Sequence, residues 1–144
     1  MLIDFKKMNE KYANIIVSKD AIGNFECYNI NHEVEDIDDL IDKEGYEFFV
    51  SFIDDEIVGY IECFFEEEVL EVGMALLPEY IGIGIGTDFV FQAVEYLVDY
   101  YDYSGEVIRS YINGEDDRTI SVLERVGFKK VDTTKKWVEL ELDI

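Results

Sequence analysis

The sequence predicts a mixed α/β domain in which helices pack on a layered sheet. Three observations predict it. Residues 46–77 hold three runs rich in Phe, Val and Ile, separated by two short acidic turns, the pattern of an antiparallel meander. A glycine-rich turn then leads into a segment whose apolar positions recur at three and four, the period of a helix with one buried face. Beyond it strand and helix patterns alternate to the end of the chain, the order from which layered α/β folds are built.

The 144 residues are enough for one domain, 1–144, with a single sizeable core. Hydrophobic residues make up 49% and aromatics 15%, so the chain can bury enough apolar surface to fold. Leu2 to Phe5 reads as a first strand. Asn9 to Val17 reads as a helix with Asn9 as N-cap and Tyr12, Ile15 and Ile16 at helical spacing. Ser18 to His32 has no regular period. Asp36 to Lys43 is a short acidic helix that stops near Gly45. The meander strands are Tyr46–Ile53, Ile57–Phe65 and Val69–Leu77, with turns at Asp54-Asp55-Glu56 and Glu66-Glu67-Glu68. Thr87 to Tyr101 is the long helix, buried through Phe89, Val90, Ala93, Val94, Leu97 and Val98. Glu106–Ile112 is a strand. Asp117–Val126 is a helix with Ile120, Leu123 and Val126 on one stripe and Gly127 closing it. Phe128–Val131 and Lys136–Leu142 complete the sheet.

Charge narrows the function. With 34 acidic and 12 basic residues the chain carries a formal −22, which argues against nucleic acid and against an anionic membrane surface as partners. No apolar run approaches the roughly 18–20 residues that cross a bilayer, and Met1 to Lys7 lacks the apolar stretch of a signal peptide. Cys27 and Cys63 form no metal or redox motif, so reduced thiols in a cytoplasmic protein are expected. No cation lies between Glu44 and Ile108, whereas seven of the twelve fall from Arg109 to Lys136. The middle of the chain therefore attracts cations and the C-terminal part tolerates an anion. Ten Tyr and ten Phe allow a homodimer interface without requiring one.

The informative stretch is Pro78-Glu79-Tyr80-Ile81-Gly82-Ile83-Gly84-Ile85-Gly86-Thr87. It leaves a strand and enters a helix. Its alternate glycines let the backbone pass close to a ligand, and the unpartnered N–H groups at the helix start form an anion site. A phosphate is the natural guest. No lysine follows the glycines, as a nucleotide-binding P-loop needs. A dinucleotide fingerprint fails as well, because its third glycine falls on Thr87 or Phe89.

In this stretch the chain resembles the GNAT superfamily of acyl-CoA-dependent N-acetyltransferases. That family's pyrophosphate loop has Arg or Gln, two free positions, Gly, one free position, then Gly or Ala; Ile81, Gly82, Ile83, Gly84, Ile85 and Gly86 stand at those places. Glu71 to Glu79 resembles the strand and proline turn that precede the loop. Asp116 to Phe128, ending in Gly127-Phe128, resembles the family's later helix and strand start. The similarity spans Phe48 to Val131. It implies a mixed, mostly antiparallel central sheet flanked by helices, and acetyl-CoA as co-substrate.

The resemblance implies roles residue by residue. Ile81, Gly82, Ile83, Gly84, Ile85, Gly86 and Thr87 would hold the pyrophosphate, and the backbone of Met74, Ala75 and Leu76 would supply the oxyanion donor. Asp116 stands where the family has a cofactor-side Asn, and Arg118, with Arg125, is near enough in sequence to meet the adenosine 3′-phosphate. Glu71 would be the general base, with Glu62 second. Ile81 replaces the loop's Arg or Gln, and Leu123 replaces the family's frequent acidic Tyr, which leaves Ser121 and then Tyr111 as replacements for the acid. The sole histidine, His32, reads as a surface residue, and Tyr80 as packing. The implied activity is acetyl transfer to a primary amine of a cationic small molecule or a peptide terminus. Candidate acidic contacts are Asp36, Asp38, Asp39, Asp42, Glu66 to Glu68 and Glu115 to Asp117. Two alternatives stay open: a catalytically degenerate acyl-CoA sensor or partner-binding module, and a purely structural acidic protein.

Overall fold

The computed structural model describes residues 1–18, 27–28, 37–134 and 136–144. The elements in order are β1 (Asp4–Lys7), α1 (Glu10–Ser18), β2 (Cys27–Tyr28), α2 (Asp38–Ile41), β3 (Tyr46–Ile53), β4 (Glu56–Glu66), β5 (Val69–Leu76), a short 3-10 turn (Pro78–Tyr80), α3 (Gly86–Tyr100), β6 (Val107–Asn113), α4 (Asp117–Val126), β7 (Lys129–Thr133) and β8 (Trp137–Asp143). The strands form one sheet in the order β1-β3-β4-β5-β6-β8-β7, with β2 lying off that path against β5. All these pairings are antiparallel except β5 with β6. The mixed, mostly antiparallel sheet flanked by helices is thus the fold.

Local chemistry explains the meander. Asp54 and Asp55, then Glu67 and Glu68, adopt positive φ at the two tight turns. Successive left-handed residues match the right-handed twist of the flanking strands. The resulting register runs from Tyr46↔Phe64 to Ile53↔Glu56, and from Gly59↔Leu76 to Glu66↔Val69.

Alternation sends side chains to two cores. Phe49, Ile61, Leu70, Val72, Met74, Ile108 and Leu140 face α3 and α4 and pack on Phe89, Ala93, Leu97, Ile120 and Leu123. The opposite parity, Phe48, Val50, Phe52, Tyr60 and Ala75, packs on Ala13 and Ile16 of α1 and Leu40 of α2. Strand β4 is buried without a break from Ile57 to Cys63 because both its faces are covered.

Most boundaries move by a residue or two from the sequence reading, and the first strand and the acidic helix show the change most plainly. The first strand is Asp4–Lys7 rather than Leu2–Phe5: Leu2 is 77% exposed, whereas Asp4 to Lys7 ladder with Phe52 to Phe49. Apolar Leu2 suggested the earlier start, but on this edge strand Lys7 contributes by pairing with Glu47 at 2.8 Å and Lys6 by lying over the Phe52 ring. The acidic helix covers only Asp38–Ile41. The predicted cap holds: Asn9 Oδ1 accepts the Tyr12 N–H at 2.9 Å. His32, Asp36 and most of the segment Ser18 to His32 lie outside the described residues.

Candidate acyl-donor and acceptor site

The site begins where β5 and β6 part. Their parallel ladder holds only Leu70↔Ile108 and Glu71↔Arg109. Two hydroxyl groups fasten this seam. Tyr103 Oη accepts the Leu70 N–H at 3.2 Å and donates to the Val107 carbonyl at 2.6 Å. Ser110 Oγ, buried between Ile108 and Ile112 on its strand, donates to the Val72 carbonyl at 2.9 Å. Neither was singled out from the sequence. A serine at an apolar-parity position of a strand was the available signal for Ser110.

Past the seam β5 continues for four residues, Gly73 to Leu76, without β6. The Leu77 N–H donates to Val58 at 2.8 Å, so by alternation Ala75 turns its amide groups toward β4 while Met74 and Leu76 turn theirs toward the other edge of β5, where Tyr28 stands opposite Met74. Strand β2 runs along this edge, with Tyr28↔Met74 and Cys27↔Ala75.

Both α3 and α4 start at the carboxyl ends of these diverging strands, the region where ligands collect in α/β sheets. Their first turns differ. At α4, Asp116 Oδ1 accepts the Thr119 N–H at 3.1 Å and Oδ2 accepts the Thr119 hydroxyl at 2.6 Å, so a carboxylate of the chain itself fills that end. At α3 no side chain caps the helix, and the N-cap position is Ile85. Gly82 and Gly84 in the preceding loop have φ of +81° and +88°, and a Cβ on either would meet nothing within 4 Å. The backbone there favours glycine, and the space beside both glycines is open. Ile83 is exposed at 60%, while Ile85 is buried at 3% and anchors the loop to the core. A loop of this shape suits a diphosphate.

A family model described as the acetyltransferase (GNAT) family matches residues 17–128. The chain belongs to the GNAT family. No curated protein matches the sequence. Among solved structures, the fold is similar to a spermidine N-acetyltransferase from Vibrio cholerae crystallised with CoA and spermine, at TM-score 0.76 and 13% identity over 98% of this chain and 95% of that one. It is also similar to the Campylobacter jejuni N-acetyltransferase PseH in complex with acetyl coenzyme A, at TM-score 0.69 and 15% identity over 99% of both chains. Acetyl-CoA is the co-substrate that membership brings.

Within this GNAT fold the remaining candidates fall on two faces. Glu71, Glu62, Arg109 and Tyr111 share the face covered by α1 and α2, by their register with Phe64, Gly73 and one another. Glu71 is half-buried and its Oε1 has no hydrogen-bond partner among the described residues. Burial, then a hydrogen bond and charge repulsion from Glu66, raise its pKa to about 7, against the opposing pull of Arg109. Glu62 is buried at 3%. Tyr111 is pushed up to about 12 by burial and then by its hydrogen bond to Glu139. Ser121 is half-buried on α4, in the opposite layer, and Leu123 beside it is buried in the core at 1%. Arg118 is exposed on α4. The structure thus places the glycine loop just after the Met74–Leu76 edge, Glu71 on the paired part of β5 on the α1 and α2 side, and Ser121 on α4 in the opposite layer.

Proposed function

We propose that this GNAT protein transfers an acetyl group from acetyl-CoA to a primary amine of a cationic small molecule or peptide terminus. The observation that carries the reading is the contrast between the two helix starts. The α4 end is filled by Asp116, while the α3 end is bare, fronted by two glycines in left-handed geometry.

In this reading the loop from Ile81 to Thr87 holds the diphosphate through backbone N–H groups, because Ile81 offers no charge. The thioester then lies along the β5 edge at Met74 to Leu76. An ammonium with a pKa near ~10 must lose a proton before it can attack. Glu71 accepts that proton, directly or through water; a carboxylate poised near neutrality suits the task. The amine nitrogen bonds to the acyl carbon, and a backbone N–H on the β5 edge away from β4 stabilises the oxyanion. The carbon–sulfur bond breaks and the thiolate takes a proton. Ser121 is the candidate donor; Tyr111 is a weaker one, since its proton is held by Glu139.

One observation favours the sensor reading instead. The position matched to the family's acidic tyrosine is Leu123, buried in the core, so no hydroxyl comes from there. Calorimetry with acetyl-CoA, followed by thiol release over spermidine, an amino sugar and a peptide N-terminus, separates the readings. Binding with release on at least one amine is expected. Binding with silence across the panel would establish the sensor. No binding would remove both.

A further inference from the structure

A second cavity lies on the Glu71 face of the sheet, over β6, β8 and the β7–β8 hairpin. Its volume is about 370 Å³, and Tyr111, Trp137, Glu139, Asp132 and Thr134 line it. That is the size of a small-ligand site. Its walls are mostly apolar and aromatic, and its charged groups are acids. Asp132 and Glu139 are direct cross-strand partners. Two carboxylates opposed in this way repel and cost stability unless a cation comes between them. Two described cations share this face outside the cavity lining: Lys129, the cross-strand partner of Glu141, and Arg109, which lies deeper. Its Nε is 3.5 Å from Glu139 Oε2 and its Nη2 is 3.3 Å from Glu141 Oε2, so one guanidinium is shared by two glutamates. Among the described residues, Asp132 Oδ1 accepts the Thr133 N–H at 2.9 Å. The indole of Trp137 is a surface on which an ammonium already rests: Lys136 Nζ lies 5.4 Å from the ring centroid.

We propose that this cavity binds an organic ammonium group, and that the acceptor is an amine carrying a second cationic centre. The guest's charge meets Asp132 and Glu139, and its methylenes lie against Tyr111 and Trp137. The cavity adjoins the reacting end of the site. Tyr111 is two positions along β6 from Arg109, the cross-strand partner of Glu71. From strand geometry, Tyr111 and Glu71 have Cα atoms roughly 8 Å apart. A diamine or polyamine can therefore rest one ammonium in the cavity and present another amine to Glu71. This assignment rests on the transferase reading for its second half; the ammonium site itself does not.

Trp137 is the single tryptophan of the chain, so its fluorescence reports the cavity directly and without catalysis. Titration with spermidine and putrescine should give a saturable change, absent with the uncharged 1,4-butanediol. Asp132→Asn should weaken the diamine at least fivefold while leaving acetyl-CoA affinity unchanged. In thiol release, Asp132→Asn should raise KM for spermidine at least fivefold with little change in kcat, and leave n-butylamine unaffected. An unchanged Trp137 signal at millimolar diamine, or an equal response to the diol, would overturn the ammonium site. A normal fluorescence titration with equal kcat/KM for putrescine and n-butylamine would overturn its role in acceptor choice. Absence of thiol release with every amine, alongside a normal titration, would overturn the transferase reading and leave the site standing.

Discussion

At the scale of single residues, Glu71 is the base of the proposed mechanism and also carries a stability cost. Burial and its neighbour Glu66 hold its pKa about 7, above the ordinary carboxylate value, so the folded state binds a proton that the unfolded state has released. Stability tied to this group is therefore complete below the ordinary carboxylate range and is lost as pH rises toward about 7. Glu71→Gln should stabilise the protein at pH 8 by about 1–3 kcal/mol, and the gain should vanish near pH 4; thermal melts at the two pH values check it. The same substitution should lower kcat/KM by roughly 10²-fold or more at pH 8. In the wild type kcat/KM should climb with pH through about 7, because only the ionised carboxylate accepts a proton. Gain of stability with loss of activity is the expected pairing for a group whose strained charge state does work. A Glu71→Gln gain over the wild type that is no larger at pH 8 than at pH 4 would show that the Glu71 pKa is not raised.

At the scale of elements, the two helix starts make opposite predictions. Asp116 is engaged by Thr119, so Asp116→Ala should cost about 1 kcal/mol of stability through the lost cap. It should leave acetyl-CoA affinity within twofold, although the residue stands at a cofactor-side position of the family; a larger loss of affinity would give Asp116 a contact to the ligand. At α3 the comparison is Gly84→Asp against Gly84→Asn. Both side chains tolerate left-handed backbone better than most, and a Cβ there meets open space, so both variants should fold. The aspartate places a negative charge before the bare amides and should weaken acetyl-CoA at least tenfold more than the asparagine does, by calorimetry. The elements themselves were largely legible. Period-two runs gave the meander strands, and the apolar stripe of α4 gave Asp117–Val126 without error. What stayed hidden was pairing. Nothing in Cys27-Tyr28 shows that it will lie along the edge of Met74 and Ala75, since two residues carry no period and the contact is long-range. Likewise the task of Tyr103, a hydroxyl joining Leu70 to Val107, follows from where two strands meet and not from the local sequence.

At the scale of the whole molecule, the sequence made the loop and the acidic charge legible but not their spatial relation. The acids of β4, β5 and β8 that face α1 and α2 come together only once the register is set, and Arg109 joins them because β6 pairs in parallel with β5. In the proposed function the uncapped end of α3 is an anion seat, in a chain of formal charge −22. Long-range repulsion then opposes the anionic donor while the backbone dipoles of the seat attract it at short range. Added salt screens the long-range part first, because the Debye length falls to about 10 Å at 0.1 M, whereas contacts within the seat are shielded less. Acetyl-CoA affinity should therefore rise, or at least hold, between low and moderate salt. A cationic acceptor feels the same field with the opposite sign, so KM for spermidine should increase over the same range. Opposed salt slopes for the two substrates of one reaction are the signature of a strongly acidic host with a dipolar anion seat. A steep loss of acetyl-CoA affinity with salt would mean that side-chain cations such as Arg118 and Arg125, rather than the α3 amides, hold the donor.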